Sequence, residues 1–548
     1  MPTNRFYVTT PIYYVNDRPH VGHAYTTVIA DALSRYHRLR GDEVRFVTGT
    51  DENSQKNVEA MEKAGETDLQ AYLDRMAGAW KSTWSEIGIT FDDFIRTTEP
   101  RHLAGVERFW KAVAASGDLE KRTYQSMYCV GCEGFKTPSE MNEDGRCPLH
   151  PNKELTKVQE ENWFFKLTNY VEPLRAYIRE HEDFVQPASR RNEILGYLDA
   201  VEKEGLDVSV SREKKKLSVG IPVPGDEDQR IYVWFDALLN YMTAVGYGTD
   251  EALFQKFWPV NLQLVGKDIL KFHCALWPAM IMSAAKQDAL LRNEDGSPKL
   301  PQHVFAHGFY TLDGMKISKS LGNAIPPSEA AKDVGMDAVR YYLLREVQLG
   351  EDGDFSFARL KERYQADLGN TLGNLVQRVV AMSRKYFDGK VPTLDAVTAQ
   401  SLSDVGVNSW GGSVAIHHLA SEIAAAYDAF NTFGVVQRVW GTGESASNLI
   451  AANKLIEETQ PFKLAKTDLE ATGRVLYALL ESIRWYAWFV APIMPETANK
   501  MLVALGLDAT QEFAKGWDAA LTWGQLEPGS LLPEPSPLFP RLEEKTEV

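Results

Sequence analysis

The chain is poor in cysteine, has no long apolar run and carries no surplus of positive charge. Four cysteines in 548 residues are too few for a disulfide framework. Three of them, Cys129, Cys132 and Cys147, crowd within nineteen positions while Cys274 stands apart, which suits a metal site in a reducing compartment. The most apolar stretch, residues 485–494, is ten residues long, against the ~20 that cross a bilayer, so no membrane span is expected. Met1-Pro2-Thr3-Asn4-Arg5 leads straight into Phe6-Tyr7-Val8-Thr9 without a charged leader or apolar core; no secretory signal and a cytoplasmic location are expected. The net charge of −16 argues against non-specific polyanion binding, but leaves room for a basic groove on an acidic body. No Walker A sequence is present, because Gly266-Lys267 lacks both the upstream glycine and a following Ser/Thr. Gly441-Thr442-Gly443-Glu444-Ser445-Ala446 fits GxGxxA, but it sits between helical patterns rather than after a strand, so it is not read as a dinucleotide site. No internal repeat is evident.

What is there is ordinary globular composition, 44% hydrophobic and 24% charged, in a length that implies roughly three or four domains. Residues 6–10 read as a buried strand broken by Pro11. From Val21 the apolar positions Val21, Tyr25, Val28, Ala32, Tyr36 and Leu39 recur at spacings of three and four, which predicts a helix stopped at Gly41. Residues 44–48 read as a second strand. Strand, helix, strand in this order is a right-handed crossover and predicts a parallel α/β sheet. Further strands are expected at 231–235, 262–265 and 304–310. Residues 119–225, with the cysteine cluster and the mixed-charge run after Arg212, read as an insertion dividing one sheet into halves at 1–118 and 226–310. A connecting segment at 311–360 follows. Residues 361–520 read as a separate helical domain, with helices at 367–386, 414–430 and 445–458, and residues 521–548 as an irregular proline-rich tail.

Three motifs carry chemistry. Pro19-His20-Val21-Gly22-His23 opens the first helix, whose N–H groups and positive dipole end suit a phosphate. Two histidines three apart share a face and can donate to phosphate oxygens, and Gly22 leaves room for a nucleotide. Lys316-Ile317-Ser318-Lys319-Ser320 follows the turn-like Asp313-Gly314. Its two lysines can neutralise charge building on a pyrophosphate leaving group. Either motif alone would also fit an ordinary surface; together, near opposite ends of one α/β unit, they point to a nucleotide-activating site. Cys129-x2-Cys132 and Cys147-x2-His150 form paired knuckles that match a closed, tetrahedral structural zinc site, His150 being placed by spacing alone.

PHVGH and KISKS resemble the HIGH and KMSKS motifs of the class I aminoacyl-tRNA synthetases. Four more stretches resemble the methionyl-tRNA synthetase family: Thr10-Pro11-Ile12-Tyr13-Tyr14, Gly49-Thr50-Asp51-Glu52-Asn53, Tyr232-Val233-Trp234-Phe235-Asp236-Ala237 and Gly266-Lys267-Asp268-Ile269. The likeness runs from about residue 4 to about 540. It implies a class I Rossmann-type α/β fold, its parallel sheet split by a zinc-bearing insertion and followed by an all-α anticodon-binding domain. It implies an ATP site at His20, Gly22, His23, Gly266, Asp268, Lys316, Ser318 and Lys319, with His20, His23, Lys316 and Lys319 catalytic. The implied methionine pocket uses the Ile12 backbone and Asp51 for the amino group, with Tyr14, Trp234, Ala237, Tyr241 and His273 around the thioether. Asn370, Asn374 and Arg378 on one helix, with Asn374 and Arg378 at the base-contacting positions, and Phe462, where the family usually has Trp, fall at its anticodon-reading positions. The implied partners are methionine, ATP with Mg²⁺, and methionine tRNA with its CAU anticodon, initiator tRNA included. One structural Zn²⁺ and a monomeric chain complete the expectation. Synthetases for leucine, isoleucine or valine carry a large editing insertion this length cannot hold, and the cysteine enzyme puts its zinc in the substrate pocket.

Overall fold

The first strand runs past its proline. In the computed structural model, which describes all residues except 1–3, 133, 137–140, 318–321, 349, 394–411, 442–446 and 543–548, β1 spans Arg5–Tyr14. The sequence suggested that Pro11 ends it. Instead the ladder with β2 (Glu43–Asp51) shifts register between Thr9 and Ile12 and resumes as Ile12–Gly49, Tyr13–Thr50 and Tyr14–Asp51. Proline has no N–H to donate, so it sits at an irregularity rather than at a regular ladder position. The shift sets Tyr14 beside Asp51.

Helix α1 (Val21–Leu39) joins these strands, capped by His20 at its start and stopped by Gly41 at φ +84°. Adding β3 (Asp93–Arg96), β4 (Val185–Gln186), β5 (Leu262–Gly266) and β6 (His303–His307) gives one six-stranded sheet in the order β3-β2-β1-β5-β6-β4, parallel throughout. Neighbouring strand residues alternate between two cores. Phe6, Val8, Phe46 and Leu264 face one, and Tyr7, Val47, Val265 and Val304 the other. Burial on both faces explains why these strands read as continuous apolar runs. The strand order reverses between β1 and β5, the switch point where open α/β sheets leave a crevice at the strands' C-terminal ends.

The stretch read as one insertion is two pieces. Leu119–Cys129, Gly134–Lys136, Thr156–Phe165 and Val208–Ser209 form a four-stranded antiparallel sheet. Between its last two strands the chain returns to the main body, where helices Val171–Glu180 and Ala188–Glu204 flank β4 and pack into the second core. A two-residue strand has too short a pattern to be read from sequence. Two other strands are corrected. Residues 231–235 are the end of a strand, Asp226–Ile231, and the start of a helix, Val233–Leu238; a short buried helix is apolar all round and mimics a buried strand. Residues 304–310 belong to two sheets. β6 stops at His307, Gly308 packs so closely that a Cβ would lie 2.1 Å from the Glu351 carbonyl oxygen, and Tyr310–Leu312 starts a three-stranded sheet.

The rest is helical, as the pattern indicated. Phe357–Arg363, the π-helical Tyr364–Gly373 and Asn374–Tyr386 follow without a break, and Gly412–Asp428, Leu449–Thr459 and Leu469–Val490 come after. Their core is continuous with the first face of the sheet, not separate from it. Tyr36 of α1 stacks on Tyr427 at 4.4 Å, and buried Arg340 pairs with Asp31 of α1 at 2.6 Å while donating to the carbonyls of Pro492 and Ile493. The tail is irregular but fastened, with Val391 N donating to Ser530 O at 2.9 Å and Leu532 N to Gly389 O at 2.8 Å. Among the described residues no helix is long and apolar enough to cross a membrane.

Candidate active site

The two histidines of α1 cap their own helix. Gly22 N donates to His20 Nδ1 at 3.1 Å and His20 N to His23 Nδ1 at 3.3 Å. A neutral ring that accepts at Nδ1 carries its proton on Nε2. Both rings are neutral, since burial pushes His20 down to about 4 and pushes His23 well below the usual range, with His20 beside it adding to the effect. The rings stack with centroids 3.8 Å apart. The helix start therefore presents two uncharged N–H donors beside the switch point. A Cβ on Gly22 would come within 3.0 Å of the His20 ring, so this glycine keeps the ring in place as well as leaving space. On the adjacent strand, a Cβ on Gly266 would meet Asp268 Oδ1 at 2.8 Å and the Phe309 ring at 3.3 Å.

The lysine motif comes to the same place. Val21 N donates to Ile325 O at 2.9 Å, which ties the first residue of α1 to the chain just beyond the lysine loop. Ile317 is buried in the core that also holds Val21 and Ile325. Lys316 pairs with Thr311 in the three-stranded sheet. Ser318 and Lys319 lie outside the described residues.

A cleft of about 480 Å³ opens at the strand ends and is lined by Ile12, Tyr14, Asp51, Trp234, Ala237, Tyr241 and His273, together with His23 and Asp268. Segments far apart in the chain thus meet: the end of β1, the end of β2, helix Val233–Leu238 and the π-helical turn Phe272–Leu276. Trp234 stacks on Phe272 at 3.9 Å and 7°, with His273 edge-on at 6.4 Å. His273 Nδ1 donates to Ile269 O at 3.0 Å, so its Nε2 accepts the Tyr241 hydroxyl at 2.7 Å. Burial pushes His273 down to about 4 and raises the Tyr241 hydroxyl, so this wall is uncharged. Asp51, 4% exposed, brings the carboxylate. Aromatic faces with a neutral, hydrogen-bonded floor suit a polarizable thioether, and a carboxylate suits an ammonium.

Cys129, Cys132, Cys147 and His150 converge, their ligand atoms all within 4.8 Å of one another. Cys132 Sγ lies 3.5 Å from Cys147 Sγ, and His150 Nδ1 lies 3.3 to 3.8 Å from the three sulfurs. A tetrahedral ion with bonds of ~2.3 Å to sulfur and ~2.0 Å to nitrogen has ligand–ligand edges of roughly 3.5–3.8 Å, so the set fits. Gly131 between the first two cysteines has no room for a side chain, since a Cβ would be 2.4 Å from the His150 ring. Cys132 and His150 also line the cleft.

On the helical side, Asn370 and Asn374 are exposed and Arg378 is half-buried. Among the described residues none of the three has a side-chain hydrogen bond or ion pair. Asn453 donates to Thr371 O at 3.1 Å, within the π-helical stretch. Phe462 is 43% exposed.

Two features escaped the sequence. Arg212, at the head of the mixed-charge run, lines the cleft, lies 4.3 Å from the Tyr232 ring centroid, and donates to Ser209 Oγ and Ser211 O. Its only signal was a Ser-Arg step at the end of an alternating segment. Behind the cleft, Asp236 accepts from Asn53 Nδ2 at 2.7 Å and pairs with His102 Nε2 at 2.6 Å. The first contact joins the segment that follows Asp51 to the helix bearing Trp234, and the second joins that helix to Pro100–Ala115. Asn53 and Asp236 stood inside recognised motifs, but His102 lay in an unremarkable helix.

A nucleotide-binding crevice at the switch of a split parallel sheet, with a histidine pair on the first helix, is the architecture of a class I aminoacyl-tRNA synthetase. Accordingly, residues 6–156 and 137–380 match the family model of class I tRNA synthetases (M), and residues 419–547 match that of the anticodon-binding domain of methionyl-tRNA ligase. The methionine–tRNA ligase of Synechocystis sp. is 41% identical over 98% of this chain and 98% of its own length, and that of Thermotoga maritima is 40% identical over 99% and 81%. A solved Mycobacterium tuberculosis methionyl-tRNA synthetase in complex with methionyl-adenylate superposes with a TM-score of 0.85 at 35% identity, covering 98% of this chain and all of that one. The chain belongs to the methionine–tRNA ligase family, and it is an enzyme.

Proposed function

We propose that the chain joins methionine to ATP as methionyl-adenylate and passes the methionyl group to the terminal adenosine of methionine tRNA, initiator tRNA included. The observation that carries this reading is the meeting of all seven expected methionine-site residues in one cleft with His23 and Asp268 at its edge. The methionine carboxylate attacks the α-phosphorus of ATP in line; the bond to the bridging oxygen breaks, and pyrophosphate leaves with Mg²⁺. A carboxylate needs no general base, so the protein's part is positioning and charge stabilisation. His20 and His23 donate from Nε2 to phosphate oxygens. Gly22, Gly266 and Asp268 shape the nucleotide site, and Lys316, Ser318 and Lys319 take up charge on the leaving group. Ile12 and Asp51 hold the amino group, and Tyr14, Trp234, Ala237, Tyr241 and His273 enclose the thioether. By class resemblance the 2′-hydroxyl then takes the methionyl group.

Asn374 and Arg378 read the CAU anticodon and Phe462 stacks on one of its bases. Cys129, Cys132, Cys147 and His150 hold one structural zinc ion, which leaves no coordination position for catalysis. The protein works as a cytoplasmic monomer, with catalytic halves at 1–118 and 226–310 completed by β4 and its flanking helices from the intervening stretch, a connecting segment at 311–360 and the anticodon-binding part at 361–520. Amino-acid-dependent ATP–pyrophosphate exchange across the twenty amino acids tests the reading. Exchange with methionine alone is expected; exchange driven by another amino acid, or none with any, overturns it.

A further inference from the structure

Helix Gln55–Lys63 starts where β2 ends, with Ser54 Oγ accepting from Lys56 N at 3.1 Å. Its first turn reaches in two directions. Asn57 Nδ2 donates to Asp51 O at 3.0 Å and so fixes the backbone of the carboxylate at the cleft. Lys56 sends its ammonium outward, donating to the carbonyl of Gly131 at 3.1 Å and sitting 4.6 Å from the centroid of the Tyr14 ring. Gly131 is the residue wedged against His150 between Cys129 and Cys132, so its carbonyl stays where the four-ligand cluster holds it. Lys56 itself lines the cleft. A single side chain thus touches both the metal knuckle and an aromatic wall of the amino-acid pocket, joining parts of the chain 75 residues apart.

We propose that Lys56 is a positioning residue that latches the Cys₃His knuckle to the methionine pocket, so that the knuckle sets methionine affinity through this contact. The inference rests on the assignments of Tyr14 and of the metal cluster made above. A cation over a ring and a charged donor to a carbonyl act at the same time, each favouring one placement of the stem. With the knuckle ordered, Tyr14 is held against the cation; with the knuckle loose, the ammonium loses its carbonyl and the ring loses its stop. Because the latch shapes the pocket before reaction, its loss weakens the binding of ground and transition states alike, which raises KM and leaves kcat.

The experiment measures methionine-dependent pyrophosphate exchange, metal content and Tm on the full chain, Lys56→Met, Lys56→Arg and Trp234→Ala, before and after chelation. Lys56→Met is expected to raise the methionine KM about tenfold, the scale of a lost cation–π and charged hydrogen bond, with kcat and the KM for ATP unchanged and metal content equal to the parent's. Lys56→Arg, which keeps a cation and donors, restores most of the affinity. Chelation raises the parent's methionine KM to the level of Lys56→Met and adds nothing in that variant, the non-additivity that marks one pathway. An unchanged KM in Lys56→Met, a fall in kcat alone, or chelation acting by the same factor in parent and variant overturns the latch. A parent that binds no metal also overturns it, together with the zinc assignment. Trp234→Ala separates the two levels. A raised KM there with an unchanged KM in Lys56→Met defeats the latch alone, whereas an unchanged KM in Trp234→Ala defeats the pocket assignment itself.

Discussion

The cleft around Trp234 and the helix face around Arg378 are both built on π-helical turns, Phe272–Leu276 and Tyr364–Gly373, yet their polar groups are committed to different degrees. In and behind the cleft several are already committed: His273 holds Ile269 and Tyr241, Asp236 holds Asn53 and His102, and Lys56 holds Gly131, while Trp234 Nε1 is buried without a hydrogen-bond partner. On the helix face Asn370, Asn374 and Arg378 have no partner among the described residues, and Phe462 shows 43% of its surface. A small substrate selected by shape gains from walls fixed in advance, because little order is lost on binding. A single-stranded RNA loop offers base edges and faces that adapt, and free amide and guanidinium groups can meet them. On the proposed function, one region is preorganised for chemistry and the other is left open for reading.

That contrast can be broken by mutation, and the largest effect belongs to the chemistry. Lys316→Ala or Lys319→Ala is expected to lower kcat for adenylate formation roughly 10²–10³-fold, the scale of removing one donor aimed at transition-state charge, with little change in the methionine KM. A raised KM at unchanged kcat in single-turnover exchange would remove these lysines from the charge-stabilising role. Next comes the metal. Purified protein should hold about one zinc per chain, and Cys147→Ala should lose it and cut exchange indirectly while the helical part stays folded by circular dichroism. Full occupancy in that variant would refute the ligand set.

Acid should act on the buried histidines His273 and His307. Burial holds His273 and His307 at about 4 in the folded chain, whereas the unfolded chain takes up their protons below about 6.5. Their stabilising contribution is therefore complete above 6.5 and is lost as pH falls through 6.5 towards 4. Tm measured between pH 8 and 4, in roughly half-unit steps, should drop over that window, with a shallower drop in His307→Gln. The smallest effect belongs to stacking. Phe462→Ala should weaken tRNA binding by about 1–3 kcal/mol and Phe462→Trp should be tolerated. Equal affinity for tRNA in parent and Phe462→Ala would show that the exposed ring serves only the fold.

Legibility in the sequence followed the locality of the interaction. His20 and His23 could be read because their motif sits in five consecutive residues at a helix start, and the cluster of Cys129, Cys132, Cys147 and His150, which could hold a metal ion, because two short spacings define it. Tyr14 beside Asp51 needed the register shift at Pro11, which apolar alternation does not announce. Trp234 reads as part of a strand but lies in a helix, since a six-residue segment with five buried residues satisfies either pattern. β4, two residues long within the interrupting stretch, and the Arg340–Asp31 pair, 309 positions apart, depend on contacts between distant segments that no local pattern encodes. Arg212 and Lys56 were passed over because a lone cation in a charged or polar run looks like any solvated residue until its neighbours are in place.

The separation of the two regions is tested most directly by measuring two reactions on the same preparations of Trp234→Ala and Arg378→Ala: methionine-dependent pyrophosphate exchange without tRNA, and charging of methionine tRNA. Trp234→Ala should impair both, because the cleft serves both steps. Arg378→Ala should leave exchange at the parent's level and lower charging about 5- to 150-fold, which corresponds to ~1–3 kcal/mol of lost base readout. Unchanged charging of the CAU anticodon in Arg378→Ala, or an equal loss of exchange and charging in that variant, would contradict the account.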